Sequence, residues 1–496
     1  MNKRLITIIV FCLVGLFYCK AQSLSSVEEQ YTNVKCMDTV VARINPLDNN
    51  STVISYNDAI SSLPTFVYHT HAGSVVSKRF TWPMISNTFG DIFYTVNDMI
   101  IVGGECYFCG GKRAIIGWEY SMEGYAMPVY QNTGFFGWFD VSQMSATSPT
   151  SLDLYLFDLP VPGELKRMDG IFVSGGVGLG LISEQTLAIV RGYGNSWACH
   201  VQNVGTDERL EDVKITENHL VTLSRFLSDD YSFGLRCETK NDAFNSPATH
   251  LLYNYYNGIR YQTYPMTTAS IPNSHPTMRQ RDEVMRMVNH PRSDLVTVAY
   301  NGEYFDSGDC QHSGFHTAMY LMNLSNCVSG HVNILMDDAQ LLTTGLLKKA
   351  QYSLWEMRYV SAANTIAMLQ GAKTEYTGMW SILQDASWSP TWMPRSVQAD
   401  YRALKSMDVD AAGWAYLAGR SIPDKKLLHF RQDLGKMERS CYSTRPVTVV
   451  EKLILNSGEV PVPIEPSPVP IFTITQSHFQ SDATTTGYYP KCNTSY

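Results

Sequence analysis

The chain has 496 residues, 44% hydrophobic and 17% charged, which supplies a large packed core and excludes a disordered chain. Lys and Arg number 38 against 46 Asp and Glu, a net charge of −8, so neither a basic groove for nucleic acid nor a polybasic stripe for anionic lipid is expected. Aromatic residues make up 12% of the chain, 29 of them Tyr, a usage that favours strands over helices.

Taken in chain order, the first element is a targeting signal. Lys3 and Arg4 precede the apolar run LITIIVFCLVGLFY (Leu5–Tyr18), and the small residues Cys19 and Ala21 follow. That run is shorter than the about 20 residues a bilayer-crossing helix needs. A positive start, a short apolar middle and a small-residue exit form a cleaved secretory signal, residues 1–21. Lipidation at Cys19 is disfavoured by the bulky Tyr18 before it. Without Lys3, Arg4 and Lys20 the charges are 35 against 46, a net of −11. No later stretch reaches membrane-spanning length, so the expected product is exported, secreted or held at the cell surface.

Next comes a recurring shape. Phe66–Pro83 reads as a pair of strands. DMIIVGGECYFCGG from Asp98 alternates apolar residues, breaks at Gly103-Gly104 and alternates again. DVKITENHLVTLSR from Asp212 has the same form, as do the stretches from Val284, Glu356 and Ser406; a divergent copy starts at Asp169. Period-two alternation on both sides of a turn-prone pair is a β-hairpin signal. The first apolar anchors fall at Met99, Val213, Met285, Met357 and Met407, with the divergent copy near Phe172. A mean spacing of about 60 residues suits a four-stranded sheet that must stack on its neighbours to bury a face. The expected fold is all-β: a single β-propeller of six or seven blades with long inter-strand loops, spanning residues 22–456. Pro446–Leu455 is a candidate for the strand that closes it. Beyond lies VPVPIEPSPVP (Val460–Pro470), whose prolines favour extended polyproline II; residues 457–496 read as a Pro-rich linker and polar tail.

Nine cysteines follow the signal, an odd number at spacings that form no compact disulfide framework. Most are expected as buried small hydrophobes. Cys310 and Cys327 are the first pair to consider as a bridge. Cys106 and Cys109, three apart on a strand, point to opposite faces, and no second C-x-x-C or paired His supplies the rest of a zinc knuckle.

Candidate chemistry is sparse. DSGDCQHSGFH offers Asp306, Asp309, His312 and His316 in a glycine-bearing loop as ligands for a divalent cation. His69 and His71 alternate on one strand and need a third ligand. The adjacent acids Asp229-Asp230 and Asp337-Asp338 sit in turns and splay, whereas a glycosidase needs two carboxyls roughly 5–10 Å apart across a sugar. No nucleophile elbow, zinc-protease helix or Trp-Asp repeat is present. MWSILQDASWSPTWMPR (Met379–Arg395) holds Trp380, Trp388 and Trp392, rings that stack on sugars or plug the space between sheets; with Asp385 and Arg395 they form the candidate ligand-binding surface.

The signal ending KAQ and the repeated strand–turn–strand shape resemble exported propeller-like proteins of Bacteroidota. That resemblance transfers no catalytic residue. The reading is a non-enzymatic binding or scaffolding propeller without a cofactor, recognising a glycan or a surface protein through loops on one face. The competing reading is a carbohydrate-active hydrolase or lyase on the same architecture. Converging acids, bases and His near the centre would favour catalysis; an aromatic-rich outer face would favour binding.

Overall fold

A computed structural model describes residues 24–48, 50–70, 76–145, 150–227, 232–245, 257–262, 277–279, 285–291, 293–306, 311–324, 331–334, 352–362, 364–372, 377–383, 395–400, 402–446, 451–454, 460–462, 471–474 and 476–495. The signal segment, His71, Asp229-Asp230, Cys310, Cys327 and Asp337-Asp338 lie outside the described residues. The protein is all-β; the described residues include one short α-helix, Lys240–Asn245. No helix among the described residues is long and apolar enough to cross a membrane.

Among the described residues the strands pair as one sheet of thirteen strands, one of six and three of five, and their antiparallel pairings group them into seven four-stranded units. The first unit takes Cys36–Asn45 from the long strand Leu24–Asn45, then Ser51–Asp58, Pro64–His69 and Val76–Thr81. The second is Gly90–Val102, Glu105–Tyr120, Ala126–Asp140 and Ser151–Pro162; the third is Arg167–Val173, Gly176–Ile182, Thr186–Tyr193 and Ser196–Asn203. The fourth is Glu208–Ile215, His219–Phe226, Ser232–Thr239 and Asn257–Gln262; the fifth is Met285–Asn289, Leu295–Asp306, Gln311–Asn323 and His331–Ile334. The sixth is Tyr352–Val360, Thr365–Ala372, Thr377–Leu383 and Arg395–Asp400. Arg402–Val409, Trp414–Ser421 and Lys426–Asp433 begin the seventh, and its fourth strand is the front half of Leu24–Asn45, paired from Ser26 to Lys35. One strand at the start of the described chain therefore serves two units.

The recurring hairpins of the sequence are the first two strands of the second to seventh units. Gly103 and Gly104, with φ of 61° and 91°, make the second unit's turn, a conformation glycine adopts without steric cost. Met99, Val213, Met285, Met357 and Met407 are all buried, as core anchors must be. Phe172 is not: it is 62% exposed, and Met168 takes the buried place in the divergent copy. The glycine-rich partner strand, which leaves little to distinguish its two faces, hid that shift. Cys106 and Cys109 belong to two different apolar clusters, as side chains on opposite faces do, and burial pushes both thiols up.

The first strand of each unit, here the lead strand, lies beside the lead strand of the next, and Leu24–Asn45 lies beside both Arg402–Val409 and Gly90–Val102. The core sits in layers between neighbouring units. Phe66, Trp82, Phe108, Phe135 and Phe139 fill one layer between the first and second, with ring centroids 5.1–6.4 Å apart, the spacing of tilted and edge-to-face aromatic packing.

In the segment read as linker and tail, the described residues Val460–Val462, Ile471–Thr473 and Gln476–Ser495 are strands. Ser443–Pro446 pairs with the outer strand of the sixth unit, Glu451–Ile454 with that of the fifth, Val460–Val462 with the fourth and Ile471–Thr473 with the third. Gln476–Ser495 then pairs in turn with the outer strands of the second, first and seventh units. The described strands of the C-terminal segment thus form a belt that adds a fifth strand to each of the seven units in reverse order. Proline is tolerated because an edge strand needs its N–H groups on one side only; Pro461 sits opposite Ile259 in that position. Of Pro446–Leu455, Pro446 and Glu451–Ile454 belong to these outer pairings. A disulfide joins Cys441, at the start of the belt, to Cys492 near its end.

Candidate functional site

The candidate residues chosen from sequence are only partly placed. Trp380 lies on Thr377–Leu383, and Arg395 begins the strand paired with it; Trp388, Trp392 and Asp385 lie outside the described residues. Asp306 ends one strand, and His312 and His316 lie on its partner, Phe305 opposite His312 and Gly302 opposite His316. These three occupy a hairpin and not the open loop expected; Asp309 lies outside the described residues.

Three other places concentrate chemistry. The first is the row of lead strands, which in chain order bring Arg43, Asp98, Arg167, Asp212, Arg286, Glu356 and Ser406 together, acids and bases alternating until Ser406. Register shifts at Val96/Asp98, Leu210/Asp212, Leu354/Glu356 and Leu404/Ser406 insert one extra residue just before each acid or Ser. Such bulges re-aim a side chain. Asp98 then accepts from the amide of Met99 at 2.9 Å and from Met168 of the next lead strand at 3.1 Å. Asp212 repeats this with Val213 at 2.9 Å and Met287 at 2.8 Å, and Ser406 Oγ accepts from Ala42 at 3.0 Å.

The charges pair across these strands. Arg43 binds Asp98 and reaches Glu356 at 3.3 Å; Arg167 and Arg358 each reach Glu356 at 2.9 Å, and Arg358 reaches Asp408 at 3.0 Å. Burial alone would raise the Glu356 carboxyl, but Arg358, Arg167 and Arg43 hold it well below the usual carboxylate range. Arg286 donates to the carbonyls of Trp355 at 2.9 Å and Met285 at 2.7 Å, and burial with the nearby Arg167 pushes it down to about 10. Each group answers a partner already present, the condition of a buried network that fixes strands in place.

The second place is a groove of about 930 Å³ lined by residues of the first three units, among them Phe93, Lys112, Arg113, Tyr130, Asn132 and Glu164. Gly111 is needed here, since a Cβ would stand 2.7 Å from that of Glu164. The groove runs into an arm. Beyond Ala114 the hairpin of Glu105–Tyr120 and Ala126–Asp140 has no third strand among the described residues, and its pairing continues out to Tyr120 opposite Ala126. This ribbon exposes Ile116, Trp118, Tyr120, Tyr125 and Met127, with Tyr120 at 78%. Arg113 lies 3.7 Å over the Tyr130 ring and joins groove to arm. A two-stranded ribbon is marginal in water, and a contiguous apolar patch on one marks a contact surface. The sequence offered the cue, WEYSMEGYAMPVY (Trp118–Tyr130), but its rings are indistinguishable from core rings until the missing third strand is known.

The third place is the seam of the seventh and first units. Glu29, His69 and His429 converge there, each buried, their ligand atoms within 4.8 Å of one another. Glu29 Oε2 lies 2.8 Å from His69 Nε2 and 3.2 Å from His429 Nδ1. Burial would raise the Glu29 carboxyl, but hydrogen bonds from His429 and His69 outweigh it and hold it below the usual range. Burial pushes the His429 imidazole down to about 3. His69 was visible in the sequence as half of an H-x-H pair; its partners, 40 residues upstream and 360 downstream, were not.

No family model matches the chain, and no curated protein matches it. Among solved structures, the extracellular domain of a putative one-component system from B. thetaiotaomicron is similar over 81% of this chain and 82% of that chain, at 8% identity and a TM-score of 0.12. A likeness of that size carries no argument about this chain.

Proposed function

We propose that the seven units close into a seven-bladed β-propeller that binds a ligand without transforming it, and that the groove and its aromatic arm are the binding surface. Closure is supported by the succession of lead strands, each beside the next and the last beside the first. An odd ring cannot alternate acid and base throughout, and neutral Ser406 falls where the alternation would fail. The ligand is a glycan of the cell exterior: flat rings at Trp118, Tyr120 and Tyr130 stack on sugar faces, while Lys112, Arg113, Asn132 and Glu164 offer hydrogen bonds to hydroxyls. Export fits the Cys441–Cys492 bridge, since disulfides persist in oxidising compartments.

The observation that carries the binding reading is the arm, a ribbon whose exposed rings belong to no core cluster among the described residues. The lead-strand charges argue against the hydrolase reading, because their acids are engaged by Arg side chains and backbone amides. The purified chain from Gln22 is incubated with a panel of host and microbial polysaccharides, with retention and new reducing or unsaturated ends scored together. Retention without product is expected, weakened about 2- to 10-fold by Trp118→Ala or Tyr130→Ala. Product release overturns the reading in favour of a hydrolase or lyase; the absence of both signals points to a surface protein as ligand.

A further inference from the structure

We infer that Glu29, His69 and His429 form a site for a divalent transition-metal ion of zinc character, which clips the seventh unit to the first. The donors are one carboxylate and two imidazoles, the His₂Glu set that suits zinc, and they come from three strands. Glu29 and His429 lie on paired strands of the seventh unit, opposite each other in register. His69 ends Pro64–His69 of the first unit. The cluster therefore spans the place where Leu24–Asn45 passes from one unit to the other.

The two separations that involve Glu29 are close to those of a loaded site, and all three donor atoms lie within 4.8 Å of one another. Two ligands bound tetrahedrally at zinc distances stand roughly 3.3 Å apart. His429 Nδ1 is already 3.2 Å from Glu29 Oε2, and His69 Nε2, at 2.8 Å, needs to retreat by roughly 0.5 Å. The surroundings match what a metal-bound histidine requires. Tyr31 Oη lies 2.6 Å from His69 Nδ1, so with Nε2 on the metal the Nδ1–H donates to the phenol and fixes the tautomer. Arg431 lies 3.8 Å from Glu29 Oε1 and leaves Oε2 as the one oxygen directed at the ion, a monodentate ligand. The Tyr488 ring, 4.4 Å from that of His69, brings the last strand of the belt over the cluster. Two imidazoles and one carboxylate leave a bound divalent ion with a single net positive charge.

The test uses the full chain from Gln22, treated with chelator, dialysed, and loaded with zinc or cobalt(II). We expect one zinc per chain by elemental analysis, cobalt absorption bands of tetrahedral intensity, and a melting temperature that rises on loading. Glu29→Gln and His429→Gln are each expected to abolish stoichiometric zinc, and Tyr31→Phe to weaken binding about 10- to 100-fold while the fold persists. If the ligand variants fail to fold, the unaltered chain decides: zinc well below stoichiometric, cobalt spectra of the free hexaaqua ion and a melting temperature indifferent to metal overturn the inference. Stoichiometric zinc that survives in correctly folded Glu29→Gln and His429→Gln overturns it equally.

Discussion

The two margins of the seven units are held by opposite means. At the lead strands, charged side chains set by bulges bridge each unit to the next through backbone amides and buried ion pairs. At the outer strands a single stretch of chain does the same work chiefly by main-chain pairing, with a few side chains such as Tyr488 and His478 adding contacts to the units it covers, and a disulfide joins its ends. Side-chain bridging is specific and fragile, because one lost partner strands a buried charge. Main-chain pairing tolerates proline and short strands, but it depends on the whole belt staying in place.

The largest break is expected at Glu356. Glu356→Ala leaves Arg43, Arg167 and Arg358 facing one another without their shared carboxylate, an arrangement that costs roughly 3–5 kcal/mol. Denaturant unfolding should show the midpoint fall accordingly, and Glu356→Gln, which keeps an acceptor, should fall less. The sign with pH follows from the direction of the shift. A carboxyl held below its unfolded value contributes stability fully above that value, so the contribution persists at pH 5 and fades as pH drops below about 4.5. Glu356→Gln should flatten that acid limb; an unchanged limb would place the acid sensitivity elsewhere.

The belt is tested by its clasp. A bridge closing 51 residues removes about 4 kcal/mol of unfolded-chain entropy in the loop-closure model, an upper figure for its contribution. Cys441→Ser should therefore destabilise by at most about 4 kcal/mol, no more than Glu356→Ala within its range. It should also change which regions open: hydrogen exchange is expected to rise along Gln476–Ser495 and the outer strands it covers, with the lead strands still protected. Uniform loss of protection would mean that the two margins are one cooperative unit.

The same contrast explains what could be read from the sequence. The hairpins were legible because a lead strand and its partner lie close in the chain and alternate at period two, and because Gly103-Gly104 or Ala412-Gly413 marks the turn. The acids before the anchors were visible as Asp98, Asp212 and Glu356, but their bulges were not, so their role as bridges could not be inferred. The belt was illegible because three- and four-residue strands such as Val460–Val462 carry no periodicity of their own; they are strands only because an outer edge awaits them. The seam cluster needed three residues scattered over the whole chain. The arm failed for a different reason, since Trp118 and Tyr120 lie on a strand that is core at one end and solvent-exposed at the other.

The arm supplies the smallest expected effect on stability, and the sharpest separation of structure from function. Tyr120→Ser and Trp118→Ser remove rings that touch no core layer, and such exposed substitutions change stability by within about 0.5 kcal/mol. Solubility should rise as the apolar patch shrinks. Ligand retention should fall all the same, because the rings removed are those offered to sugar faces. If both variants unfold near the parent midpoint and still bind unchanged, the groove alone is the binding surface and the arm serves another contact. If they unfold markedly earlier, the ribbon is packed against something in solution, and its rings belong to an interface already occupied.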